Sequence, residues 1–473
     1  MRLFPLIFIT FCLLRRNIAE RLHYFALAIG KRPVAPLSYT HHLNKSTERP
    51  KSSWGVIPHR TIVLIERNTQ TREPRPLINN QNFMQVKMIN NRPVKIWADE
   101  VEDSAMEQIA NLTTLPFLYH HLAIMPDVHT GKGMPIGGVL ACVNAVIPNA
   151  VGVDIGCGMC AVKTNWHVAD ISTEVLRKRI MRGIRKRIPL GKNHHKLAQD
   201  ESLLLQGHDI DKLEIVKRRQ VAILKEIGTL GGGNHFIELQ KDEEGLLWIM
   251  IHSGSRNLGK QVGDYYNQKA AKLNKLWYSQ VSPNIGLPFL PVRTPEFTNY
   301  WAEMQYCIDF ALCNRRVMMT HIEEVLADAL PNITFEPMIN IAHNYAAWEN
   351  HFGHDVIVHR KGATLARKGT TGIIPGSQGT ASYIVEGLGN PDSFCSCSHG
   401  AGRLMSRTAA IHDLNLNEEV ARLESLGIVH AIRCQDDMQE ASGAYKDIET
   451  VIHNEADLVK IKTRLLPVAV IKG

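Results

Sequence analysis

The stretch Leu246-Leu-Trp-Ile-Met-Ile-His252-Ser-Gly-Ser-Arg256 decides how the chain is read. Leu247–Ile251 has the length and the β-branched and aromatic content of a strand, and it stops at a polar turn rich in serine and glycine. Met338-Ile-Asn-Ile-Ala-His343 repeats the arrangement, an apolar run ending on a histidine. Ends of strands are where a rigid scaffold can aim side chains from distant segments into one pocket.

Working outward, short β-rich runs alternate with helical stretches from about Met84 to Gly473. The pattern predicts strands at Val139–Val143, Leu247–Ile251, Met338–Ala342, Asp355–His359, Ser382–Val385, Ile428–Arg433 and Pro467–Ile471. It predicts helices at Ser172–Met181, Asp211–Glu226, Thr298–Leu330, Ala401–Leu414 and Glu455–Leu465. Glycine-rich turns separate them, no internal repeat is visible, and no linker divides the core. The fold class is mixed α/β (α+β) in one large domain over residues 84–473.

The 473 residues are 44% hydrophobic and 21% charged, within the range of a globular protein. The net charge of +8 favours an anionic partner without naming one. The densest basic run is Arg177, Lys178, Arg179, Arg182, Arg185, Lys186, Arg187, Lys192 and Lys196. It reads equally as a solvated helix face with its following loop or as an RNA-backbone contact. Nine cysteines without an even framework spacing point to a reduced, cytoplasmic chain. The apolar run Leu3–Leu14 falls short of the roughly 20 residues that span a bilayer. It leads into Arg15-Arg16 with no small-residue cleavage site. Residues 1–83 are read as an extension, disordered or not translated, in preference to an export segment.

The chemistry gathers in a few places. In Val153-Asp154-Ile-Gly156-Cys157-Gly158 a carboxylate and a thiol stand three residues apart in a turn that glycine tightens. The bland reading is a buried turn with an inert cysteine. His235 in Gly-Gly-Asn-His-Phe, His252 and His343 each adjoin an apolar run or a small-residue turn, and singly each reads as a core histidine. Together with Asp154 and Cys157 they offer five donors, one more than a four-coordinate structural site takes. Five suit two metals sharing a thiolate, spaced roughly 3.5–4 Å apart to clamp both oxygens of a phosphoryl displacement. Ligand type alone leaves zinc open. His399 in Ser398-His399-Gly400-Ala401-Gly402-Arg403 precedes the predicted helix Ala401–Leu414, whose N-terminus would favour phosphate. A neutral imidazole there could attack an α-phosphate, or could simply cap the helix. No P-loop or G-x-G-x-x-G fingerprint occurs.

Several segments resemble the RtcB family of RNA-splicing ligases. These are Pro126-Asp127-Val-His129-Thr-Gly-Lys-Gly133, Val153-Asp-Ile-Gly-Cys-Gly158, Gly232-Gly-Asn-His-Phe236, His252-Ser-Gly-Ser-Arg256, His343-Asn344, Pro375-Gly-Ser377, His399-Gly-Ala-Gly-Arg403, Ala444-Tyr-Lys-Asp447 and Val470-Ile-Lys-Gly473. The likeness spans residues 84–473 in the family's order. It implies central β-sheets flanked by helices and a GTP- and manganese-dependent RNA ligase. The enzyme would join 3′-phosphate or 2′,3′-cyclic phosphate ends to 5′-hydroxyl ends, as in RNA repair and tRNA splicing. By resemblance, Cys157 bridges two Mn²⁺ ions, Asp154 and His235 complete one site, and His252 and His343 the other. His399 takes GMP from GTP and passes it to the RNA 3′-phosphate. Asp127 resembles a required acidic residue and Arg256 a phosphate contact. Asn234, Phe236, Glu238, Asn344, Pro375, Gly376, Ser377, Ser382, Gly400, Ala401, Gly402, Tyr445 and Lys472 match positions that hold the guanylate. An activating protein partner is left open, and no membrane is implied.

Two rivals use the same residues. A dinuclear metal-dependent phosphoesterase would need the five donors but neither His399 nor the guanylate set. A non-catalytic RNA-binding module would need a structural metal only.

Overall fold

The computed structural model describes residues 84–430 and 432–473; the extension expected over residues 1–83 lies outside them. The first sheet has six strands in the order Gln85–Ile89, Arg92–Ile96, Leu118–His129, Ile136–Cys142, His354–Lys361 and Asn344–His351. The second has seven, in the order Ile339–Ala342, Gly158–His167, Leu246–Ser253, Phe236–Lys241, Val459–Lys472, Ser382–Gly387 and Thr371–Ile374. Two short pairs, Ala363–Leu365 with Ser396–Ser398 and Ala145–Val146 with Leu290–Pro291, stand beside them. With helices packed on the sheets, the described residues have the expected mixed class.

Alternation along the opening strand explains its central place. Leu247, Ile249 and Ile251 point into one buried cluster, where Met318, Met319, Ile322 and Leu326 of the helix Pro295–Ala329 meet them. Trp248 and Met250 point the other way, into a cluster with Met159, Ile373, Ile384 and Leu465. A strand buried on both faces has no polar face to show, which is why its sequence reads as an unbroken apolar run. The upper half of the same helix, from Phe297 to Phe310, fills another cluster with Tyr266, Ile155 and Leu258.

Three expectations are corrected. Glu455–Leu465 is not a helix: Val459–Lys472 is a strand, and the alternation of Lys460, Lys462 and Arg464 with Val459, Ile461 and Thr463 carries its period of two. Ala401–Leu414 is helical only over Arg407–Asp413, capped by Ser406, whose hydroxyl accepts from Ala409 N at 3.1 Å. Gly402 has φ +73°, and a Cβ there would run into the Asp127 carbonyl, so the backbone before Arg407 cannot coil. Of Ile428–Arg433 the described residues form only an isolated bridge, Val429 with Ala469. Ile428 and Ile432 instead enter a small cluster with Leu423, Met438 and Val470. The helix expected at Ser172–Met181 is present from Thr173, with Leu176 N donating to Ser172 O at 2.9 Å, π geometry over Val175–Met181 and α geometry over Arg182–Arg187.

Candidate active site

Register builds the site. Gly158 opens its strand opposite both Ala342, the last residue of one neighbour, and Ser253, the last residue of the other. His252 stands opposite Met159 on one side and Phe236, the first residue of its strand, on the other. His343, Cys157, His252 and His235 therefore meet at one end of four adjacent strands, where cross-strand neighbours lie about 4.5–5.5 Å apart. The turn carrying Asp154 and Cys157 is pressed on the long helix: a Cβ at Gly156 would lie 2.8 Å from Ile308 Cα. At Gly158 a Cβ would collide with the Ile341 carbonyl.

Cys157 Sγ lies 3.4 Å from His235 Nε2 and 3.3 Å from His252 Nε2, and His235 Nε2 lies 3.1 Å from Asp154 Oδ2. Donor atoms of Asp154, Cys157 and His235 fall within 4.8 Å of one another, as do those of Cys157, His252 and His343. The thiol is common to both groups. His235 Nδ1 faces the Leu230 carbonyl at 3.0 Å and can only donate to it. Its Nε2 lone pair is then turned on a carboxylate and a sulfur, an acceptor-to-acceptor contact that a cation would reconcile. The buried His343 Nδ1 has no hydrogen-bond partner among the described residues. Burial first, then neighbouring positive charge (His343, His235 and His399 around His252; His399, Arg315 and His235 around His343), pushes both well below the usual histidine range, so both are neutral and free to ligate. Burial and the Asp154 carboxylate push the Cys157 thiol well up. These residues fit a divalent cation, which would also draw the proton from the thiol.

His399 lies next to this cluster, its ring centroid 4.8 Å from that of His343. It follows the strand Ser396–Ser398, so a helix end does not support it. Asp127, fully buried, does so instead: its Oδ2 accepts from His399 Nδ1 at 2.5 Å and from His399 N at 3.1 Å. With the Nδ1 proton on the carboxylate side, Nε2 carries the lone pair.

A cleft of about 550 Å³ opens beside His399. Of the expected guanylate positions it is lined by Asn234, Phe236, Glu238, Pro375, Gly376, Ser377, Gly400, Ala401, Gly402, Tyr445 and Lys472. Asn344 and Ser382 do not line it. The Asn344 amide donates to the Asp154 carbonyl at 3.2 Å and accepts from Gly362 N at 2.8 Å, which ties the metal-site turn to the His399 side. Ser382 Oγ accepts from Gly376 N at 3.2 Å and so shapes the cleft wall from behind. Lys472 Nζ sits 5.5 Å over the Phe236 ring. Burial lowers its pKa, against the pull of Glu440 and Glu238. Burial also pushes the Glu238 carboxyl up to about 8. Arg256 stands outside the cleft, on the Gly191 and Thr229 side, donating to Gly191 O and Thr229 Oγ1 at 2.8 Å each.

Sequence reasoning missed three groups. Arg315, fully buried in the long helix, donates to Gly156 O at 3.0 Å and Ser253 O at 2.8 Å and so clamps both edges of the cysteine turn. Asn314 beside it bonds Thr229 O, Gly254 O and Ser253 Oγ at 3.1–3.2 Å. Polar residues on the apolar face of a predicted helix were the available signal. Glu440, buried under Arg403, Arg407 and Tyr445 in the cleft wall, has no comparable local mark.

The family model described as tRNA-splicing ligase RtcB matches residues 108–214 and 205–473. The chain is 37% identical over 408 residues to the RNA-splicing ligase RtcB of Escherichia coli K12, covering 81% of this chain and 98% of that protein. It is 31% identical over 460 aligned positions to the tRNA-splicing ligase RtcB of Thermococcus kodakarensis, covering 80% and 95%. It is also 31% identical over 448 positions to the RNA-splicing ligase RtcB homolog 2 of Entamoeba dispar, covering 78% and 84%. No helix among the described residues is long and apolar enough to cross a membrane.

Proposed function

The chain belongs to the RtcB family and is an RNA ligase, and on that premise we propose that it joins RNA 3′-phosphate or 2′,3′-cyclic phosphate ends to 5′-hydroxyl ends at the expense of GTP, with His399 as the nucleophile. The observation that carries this reading is the position of His399, held by Asp127 between a five-donor cluster and a cleft of the right size for a nucleotide.

Asp127 takes the Nδ1 proton in a hydrogen bond, so Nε2 attacks the α-phosphorus of GTP, the bond to the β-phosphate breaks and pyrophosphate leaves. The ring gains positive character in that step, and the buried carboxylate 2.5 Å away stabilises it. An oxygen of the RNA 3′-phosphate next attacks the guanylyl phosphorus and breaks the P–N bond. The 5′-hydroxyl then attacks the 3′-phosphate, GMP departs, and a phosphodiester remains. A cyclic end is first opened by water to the 3′-phosphate.

Phe236 offers a face for the guanine base, and Glu238 and Lys472 supply an acceptor and a donor at its edge. Asp154, Cys157, His235, His252 and His343 would hold two divalent ions, assigned here as Mn²⁺, which when bound supply positive charge to the phosphate oxygens. A ligand thiolate needs a reducing compartment, so the cytoplasm is the proposed setting.

Incubation with α-labelled GTP and Mn²⁺ should leave acid-labile label on the wild-type protein and none on His399→Ala. A joining assay on RNA with 2′,3′-cyclic phosphate and 5′-hydroxyl ends should respond to GTP and not to ATP. Hydrolysis of the ends without label or joining would replace this reading with the phosphoesterase.

A further inference from the structure

Between Val175 and Gln199 the chain contains no Asp, Glu, Phe, Tyr or Trp. The helical segment Val175–Arg187 is held from behind by Leu176, Ile180, Met181, Ile184 and Ile188, which pack in one cluster with Met319, Ile322 and Val325 of the long helix. A rigid face of cations is left outward. Lys178 pairs with Glu174, and Arg187 with Glu324 and Asp328. Arg177, Arg182, Arg185, Lys186, Lys192 and Lys196 are exposed and make no ion pair among the described residues. Arg433, from a separate segment, adds a further positive charge near Arg185. An uncompensated basic face costs self-repulsion, and phosphate is the partner that removes it.

The face also connects to the site. The loop after the helix is tied to the segment before His235 by Leu230 N donating to Pro189 O at 3.0 Å and Gly191 N donating to Gly231 O at 2.9 Å. Arg256 donates to Gly191 O at 2.8 Å, and a Cβ at Gly191 would lie 3.4 Å from the carbonyl carbon of Gly473, next to Lys472. Lys192 is thus one residue from a loop that touches both Arg256 and the C-terminus. From Arg177 to Arg187 the helix adds about 15 Å of cationic surface.

We propose that the face Arg177–Arg187, with the loop to Lys196, is the landing surface for the double-stranded stem of the RNA whose end lies in the cleft. The assignment rests on the ligase reading and deepens it. Single strands are gripped by aromatic side chains on which bases stack, and this segment has none. A duplex offers phosphates in a fixed array, which exposed Arg and Lys read by charge alone.

The test uses the full chain and two labelled RNAs that end in the same single-stranded 3′-phosphate sequence, one carried on a hairpin stem and one unstructured. Binding is followed by fluorescence anisotropy across a salt series, without GTP or metal. In the quadruple variant R182Q/R185Q/K186Q/K192Q the hairpin should bind about tenfold or more weakly, with a log–log salt slope shallower by about 3–4. The unstructured RNA should change by less than about twofold, and R182K/R185K, which keeps the charge, should bind the hairpin as wild type does. If the quadruple variant folds poorly by circular dichroism, K186E/K192E carries the same comparison. Equal weakening of both RNAs, or an unchanged hairpin slope, overturns the proposal. Stem-dependent binding by a protein that joins no ends would support this surface while removing the ligase mechanism.

Discussion

Replacing Asp127 by asparagine separates charge from shape at the nucleophile. Both His399 N–H groups, ring Nδ1 and backbone N, donate to the same oxygen, Oδ2. An asparagine carbonyl in that place can accept both, so ring position and tautomer are kept. Little else can shift, since a Cβ at Gly137 would lie 2.8 Å from Asp127 Oδ1 and one at Gly402 would strike the Asp127 backbone. What is lost is the negative charge opposite a ring that becomes cationic as Nε2 attacks. A hydrogen bond to a charged group contributes about 1.5–3 kcal/mol. At about 1.36 kcal/mol per decade this slows guanylylation roughly 10- to 150-fold. The assay is single-turnover labelling by α-labelled GTP at saturating Mn²⁺, with bound metal measured in parallel. Metal stoichiometry should be unchanged, because Asp127 touches none of the five donors by hydrogen bond among the described contacts. Labelling at the wild-type rate would falsify the role given to Asp127, and loss of metal with the rate would show that it acts on the cation site.

Three further outcomes follow from the same geometry. Cys157→Ala should lose both ions, not one, because the thiol is common to both donor groups; retention of one tightly bound ion by elemental analysis would show the thiol is not shared. GTP affinity measured by calorimetry should rise with pH up to about 8 and then level, because Glu238 must give up its proton to accept from a guanine edge. Glu238→Gln should flatten that profile, and a wild-type affinity independent of pH would argue against the contact. Glu349→Gln should destabilise the fold by about 3–5 kcal/mol in denaturant titration, since it leaves the fully buried Arg360 without its charge partner. Neither residue lines the cleft, so guanylylation by the folded fraction should persist.

Of the four strands that make the site, two were legible as apolar runs ending on a histidine, Leu247–Ile251 and Met338–Ala342, whereas Gly158–His167 and Phe236–Lys241 were not expected. An apolar run such as Leu247–Ile251 has few alternatives, and a histidine at its end stands out against it. Glu455–Leu465 is strand from Val459 onward, where Val459, Ile461 and Thr463 alternate strictly with Lys460, Lys462 and Arg464, a period that competes with the helix expected there. Gly402 defeated the helix expected from Ala401 because its conformation answers to contact with Asp127, some 270 residues away in the chain and absent from any local window.

From sequence alone came the inventory: which residue types are present, in which turns, and their likeness to a family of RNA ligases. Proximity belonged to tertiary structure. Pairing in register, Gly158 with Ala342 and Ser253 and Phe236 with His252, collects donors scattered between Asp154 and His343 onto one sheet end. Packing likewise chose a buried carboxylate over a helix terminus as the partner of His399. It also turned Arg315, an isolated charge in an apolar helix, into the clamp beneath Cys157. Register and packing depend on every strand and helix at once, so no local stretch of sequence carries them.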